Sequence, residues 1–136
     1  MLVTAVAAVA DVESIAGTAR AFKGDVIIID GAKVTLFGIS APAPSEQCMK
    51  AGKAWPCGVE AKKALADLVD GGHVVCWIKN KVGHGSWQGT CALGTADLGE
   101  AMVRAGWASA VTDMTNAYAA AQAEAQSNHK GIWEVR

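Results

Sequence analysis

The sequence predicts an α+β fold, a five-stranded OB-type barrel carrying three α-helices. Three observations lead there. Three β-favouring stretches joined by tight turns open the chain. A helix with one apolar face follows the third of them. Two further strands and two further helices then complete the order.

Ile15 to Phe22 reads as the first strand, turned by Gly24-Asp25. Val26-Ile27-Ile28-Ile29 is β-branched throughout, which suits a strand covered on both faces. Asp30-Gly31 is a strong hairpin signal, and Lys33 to Ile39 reads as the return strand. Ser40 to Pro56 reads as loop and carries all three prolines of the chain. A helix is expected from about Gly58 to Val69. Ala61, Ala64, Leu65, Leu68 and Val69 mark its apolar face, and Gly71-Gly72 marks its end. His73 to Ile78 and Trp87 to Leu93 read as two strands separated by a loop from Lys79 to Ser86. Asp97-Leu98-Gly99-Glu100 has the form of a capping box that opens a second helix, with Gly106 at its end. Thr115 is expected to cap a third helix running to about Ser127. Trp133 is expected to pin the tail to the core.

With 136 residues, the chain is expected to form one domain over residues 15–136, preceded by an extension over residues 1–14. Val6 to Ala10 looks like the end of a signal-peptide apolar region without its charged start. The longest apolar run is too short to span a membrane. Net charge is −1 and the basic residues are scattered, which counts against a protein that lives on phosphate contacts. His73, His84 and His129 are dispersed and lack helical ligand spacing.

The four cysteines form no C-x-x-C motif, so zinc-ribbon and thioredoxin-like chemistry is disfavoured. Their even number suits two disulfides and an oxidising compartment, periplasmic or extracellular. If Cys76 and Cys91 oppose each other across an antiparallel pair, the connection centres on Gly83-His84, inside the expected loop. Cys48 and Cys57 bracket a short Pro-containing segment. Both bonds are expected.

Several short motifs, in order, resemble the staphylococcal-nuclease (thermonuclease-like) family. They are Gly24-Asp25, Leu36-Phe37-Gly38-Ile39 followed by Ala41-Pro42, and Cys48 with Trp55-Pro56-Cys57-Gly58 leading into a helix. Met102 to Ala108, Tyr118 and Gly131-Ile132-Trp133 complete the set. The chain looks closest to exported bacterial members, some of which carry an exopolysaccharide (succinoglycan) biosynthesis label.

The resemblance implies a specific chemistry. In that family two aspartates and a backbone carbonyl hold calcium, a glutamate is the general base, and two arginines grip the phosphate. Hard oxygen ligands, a carboxylate base and fixed cations are what phosphodiester hydrolysis at calcium needs. Carried over by position, one metal-ligand aspartate survives as Asp25, with Lys23 beside it. The second falls on Ser40, the base on Ala43, and the arginines on Thr35 and, near His84-Gly85, on Ser86. These positions are vestigial, so the resemblance implies no catalytic residue, no metal ligand set and no cofactor. The expected function is that of an inactive thermonuclease-like domain with a binding, structural or regulatory role in the cell envelope. The alternative is a calcium-dependent nuclease with a rearranged site, in which Glu46 stands in as base. Trp55 and Trp87, in or beside expected loops, are candidate stacking residues for bases or sugar rings. The partner left open is a protein, an oligosaccharide or a nucleic acid.

Overall fold

The computed structural model describes residues 13–134, so the leader-like stretch Val6 to Ala10 lies outside the described residues. In chain order the strands before the first helix are β1 (Ser14–Lys23), β2 (Val26–Ile29), β3 (Ala32–Leu36), β4 (Ile39–Ser40), β5 (Cys48–Lys50) and β6 (Lys53–Trp55). Helix α1 (Cys57–Val69), β7 (His73–Gly83), β8 (Ser86–Leu93) and β9 (Ala96–Asp97) follow. The chain then forms α2 (Leu98–Arg104), β10 (Ser109–Ala110), α3 (Ala119–Ser127) and a closing 3-10 turn (Gly131–Trp133).

β1 serves two partners. Ser14 to Thr18 pair antiparallel with β7, and Ala19 to Lys23 pair antiparallel with β2. Past Thr18 the other edge of β1 would be left bare. The segment after α1 fills it: Ala19 donates to Gly72 O at 2.9 Å, and Ala21 donates to Asp70 Oδ1 at 2.9 Å. β2 returns as β3 through Asp30-Gly31, whose φ values of 48° and 82° are those of the mirror-image turn that matches strand twist. β3 pairs parallel with β8, β8 pairs antiparallel with β7, and the five strands close into a barrel. The expected α+β barrel with three helices is therefore the fold.

The core follows from the alternation of the strands. Ile27, Ile29, Val34, Leu36, Val74, Cys76 and Cys91 fill the barrel, and Leu65 and Val69 of α1 pack onto it. Leu98, Met102 and Val103 of α2 join the same cluster, together with Ala121 of α3. The buried face of α1 is Cys57, Gly58, Ala61, Leu65 and Val69. Leu68, expected on that face, is exposed, because the stripe Cys57, Ala61, Leu65 and Val69 steps by four and leaves it to one side.

Four boundaries differ from expectation. The return strand ends at Leu36, a turn at Phe37-Gly38 intervenes, and β4 leaves to pair with β10. The stretch Ser40 to Pro56 contains a hairpin, β5–β6, turned at Ala51-Gly52. The segment Lys79 to Ser86 continues both strands around a two-residue turn at His84-Gly85. Two register irregularities in β7, next to Ile78 and Lys81, shift that turn from the expected Gly83-His84. The third helix starts at Ala119, because the Thr115 hydroxyl accepts from Ala117 in a local turn and caps no helix.

Asp97 caps α2 as expected, accepting from the Glu100 amide at 3.2 Å. Its other oxygen accepts from the hydroxyl of buried Tyr118 at 2.9 Å, which ties α2 to the segment before α3. Burial first, and the Asp97 carboxylate second, push the Tyr118 phenol above its ordinary value. The folded state therefore holds this proton more tightly than the unfolded chain does. Its contribution is complete below the unfolded pKa of about 10 and is lost as pH rises from there through the folded value. Stability is expected to fall above about pH 10, and Tyr118→Phe is expected to flatten that part of the profile. Tyr118 is the single tyrosine, so tyrosinate absorbance reads it directly. Titration of this absorbance at the ordinary tyrosine pH in the folded protein would refute the coupling.

Half-buried Trp133 sits in the closing turn with its indole nitrogen buried and unpartnered among the described residues. The tail is held by backbone, Ile132 donating to Gly106 O at 2.8 Å.

Candidate functional site

The β1–β2 turn, the segment after β4 and α1 meet where their residues are smallest. A methyl group placed on Gly24 would lie 2.8 Å from the Cβ atoms of both Ala41 and Ala61. This close approach puts Asp25 against the β4 segment. The Asp25 carbonyl accepts from Leu36 at 2.8 Å, and its Oδ2 accepts from the Ala41 amide at 3.0 Å. Its Oδ1 is buried and has no partner among the described residues. Asp25 thus ties the barrel to Ala41-Pro42. Asp25→Ala is expected to lower stability by about 2 kcal/mol, the usual loss for a hydrogen bond to a charged group. Urea unfolding measures it, and a midpoint equal to the wild type would refute the tie.

Ala43 and Glu46 close the next turn reciprocally. Ala43 donates to Glu46 Oε1 at 2.6 Å, and Glu46 donates back to Ala43 O at 2.8 Å. The turn then docks on α1, with Gly58 donating to Glu46 O at 3.3 Å. Ala43 O lies so near Gly58 that a methyl group there would come within 1.7 Å. Ser40, Ala41 and Ala43 are in this way gathered around the Asp25 end of the barrel. Half-buried Thr35 joins them from β3, paired with Val26 and level with Gln88. Ser40 is exposed and pairs with Ser109. Ser86 stands apart. It is level with Lys33, about 10 Å along the strand from Leu36, which faces Asp25.

A calcium ion takes six to eight oxygens, several of them carboxylate. The Asp25 end presents a single carboxylate with one oxygen already engaged, and among the described residues no group of three His, Cys, Asp or Glu side chains is placed to hold a metal ion. The donor set does not fit that ion.

Both disulfides are formed. Cys76 and Cys91 are register partners with Cα atoms 3.9 Å apart, inside the barrel. Cys48–Cys57, with Cα atoms 5.6 Å apart, staples the β5–β6 hairpin to the start of α1.

Trp55 and Trp87 occupy separate elements. Half-buried Trp87 belongs to the β3–β8–β7 ladder, level with Val34 and Lys81. Trp55 packs against Trp107, ring centroids 6.1 Å apart and edge to face. Two further aromatic residues, not named as candidate binding residues from the sequence, stand near the surface. Trp107 follows α2 and borders an open cleft against α1. Trp77 is 53% exposed on the outer face of β7, opposite to buried Cys76, and strand alternation alone places it there.

No helix among the described residues is long and apolar enough to cross a membrane. The profile of the staphylococcal nuclease homologue family matches residues 33–135. The chain is also 31% identical over 128 residues to the succinoglycan biosynthesis protein ExoI of Rhizobium meliloti (strain 1021), covering 91% of this chain and 67% of that protein. Together with the barrel topology, these matches place the chain in the staphylococcal nuclease homologue family.

Proposed function

We propose that this chain is a staphylococcal nuclease homologue that no longer cleaves phosphodiesters and serves the cell envelope in a binding, structural or regulatory role. One observation carries the reading. At the base position stands Ala43, which has no proton acceptor in its side chain, and the turn around it is closed by Glu46. Thr35, Ser40 and Ser86 stand where the family's cations and second metal ligand would act, and none supplies a charge. Removing one preorganised charge-stabilising group typically costs about 100- to 1000-fold in rate. Such losses need not multiply, because a catalytic unit fails together. Cleavage at background and no resident calcium are the consequences.

The alternative base, Glu46, is engaged. Its carboxylate closes the Ala43 turn at 2.6 Å, and moving it toward an attacking water would open that turn. Two disulfides favour an oxidising compartment, periplasmic or extracellular. The similarity to a protein named for succinoglycan biosynthesis supports an envelope setting. Digestion of single-stranded DNA, duplex DNA and RNA in the presence of calcium tests the reading. Intact substrate is expected, and calcium-dependent cleavage by the wild type would overturn it.

A further inference from the structure

Glu60, Lys63, Ala64 and Asp67 recur at helical spacing along one face of α1, and this face and Trp107 line an open surface cleft of about 230 Å³. The volume suits one sugar ring. Among the described residues no ion pair engages Glu60, Lys63 or Asp67, although the three lie at ion-pairing spacing on the helix. Trp107 is held from behind. It packs against the core, its amide donates to Met102 O at 2.9 Å, and its ring meets Trp55 edge to face. Trp55 in turn is the register partner of Cys48, which the disulfide fixes to α1. The indole is therefore backed by a rigid hairpin.

We propose that this cleft is a saccharide subsite that takes a neutral pyranose ring of a longer glycan. The indole face is electron-rich and attracts the weakly positive C–H face of a pyranose. The carboxylates of Glu60 and Asp67 accept from ring hydroxyls, and the Lys63 ammonium donates to a hydroxyl or ring oxygen. Charge selects against the competing ligands. Two carboxylates against one ammonium repel a phosphate backbone, which needs cations. They repel uronate sugars for the same reason. The subsite adjoins the elements that carry Ser40 and Ala43, since Gly58 packs on Ala43 and Ser109 pairs with Ser40, but its ligand chemistry does not depend on whether the chain cleaves DNA.

Titration calorimetry of the intact, oxidised protein tests this with cellohexaose and a β-1,4-galactohexaose as neutral probes, and with hexagalacturonate and oligo-dT as anionic ones. A neutral probe is expected to bind with a dissociation constant of about 1 mM or tighter, and the anionic probes about tenfold more weakly or not at all. Trp107→Ala is expected to abolish binding. Glu60→Gln with Asp67→Asn, both outside the core, is expected to weaken it about tenfold without a change in melting temperature. The carboxylate variant thus decides the matter even if Trp107→Ala proves unstable. Failure of both neutral probes to bind would overturn the proposal, as would undiminished binding by the Glu60→Gln/Asp67→Asn variant. Oligo-dT binding more tightly than the neutral probes would assign the cleft to nucleic acid and overturn it equally.

Discussion

Cys76→Ala/Cys91→Ala is expected to be about 4 kcal/mol less stable than the wild type. The bond closes a sequence separation of 15, and cross-linking a loop of that size is worth about 3 kcal/mol through the unfolded chain. The remainder comes from packing. Both sulfurs lie in the barrel core, where Cys76 is 0% and Cys91 1% exposed, so alanine leaves a void. The corresponding Cys48→Ala/Cys57→Ala variant is expected to lose less, about 2 to 3 kcal/mol, because the separation is only 9 and Cys48 is half-buried. Urea unfolding of both variants under oxidising conditions provides the ranking. The reverse order would show that the hairpin staple, rather than the barrel bond, carries the stability.

Gly58→Ala is expected to cost about 3 kcal/mol, against the usual sign for a glycine in a helix. Helix propensity alone favours alanine by about 1 kcal/mol. Here the new Cβ would lie 1.7 Å from Ala43 O, 2.5 Å from Ala43 C and 3.0 Å from Pro44 Cα. All three are backbone atoms, so no side-chain rotation relieves the overlap. The Ala43–Glu46 turn would have to lift from α1, breaking the Gly58 to Glu46 hydrogen bond. Overpacking therefore outweighs propensity. Thermal unfolding of Gly58→Ala would refute this if its midpoint equalled or exceeded that of the wild type.

Much of the barrel was legible in the sequence because it rests on local chemistry. The Val26 to Ile29 run, the Asp30-Gly31 turn and the Asp97 cap each act within a few residues. The Cys76–Cys91 pairing was legible because two strands that share a face must keep a constant register between irregularities. What was hidden depends on partners distant in sequence or on weak local signals. The β5–β6 hairpin is three residues a side, and only Cys48 and Trp55 are not exposed, so no alternating pattern marks it. Its turn places Ala51 at φ 53°, a conformation the sequence does not advertise. The outer part of β7, Lys79 to Gly83, is exposed on both faces and has the composition of a loop. The Thr115 hydroxyl resembles a helix cap in sequence but serves a turn.

The candidate site was legible as a frame. The structure brings Gly24, Asp25, Ala41 and Ala43, named from the sequence, to one end of the barrel. The tie from Asp25 to the Ala41 amide was not legible, since no sequence pattern reveals which carboxylate oxygen meets which backbone donor. The Trp55–Trp107 contact was hidden for the same reason, as it joins a hairpin to the segment after α2.

The most direct test of the proposed loss of cleavage is a digestion series with calcium on wild type, Asp25→Ala and Glu46→Gln, followed by the appearance of acid-soluble nucleotide. Equal rates for all three proteins, indistinguishable from buffer, are the predicted result. A wild-type rate above buffer that falls about tenfold or more in either variant would place a working acid, base or metal ligand in the site and contradict the account.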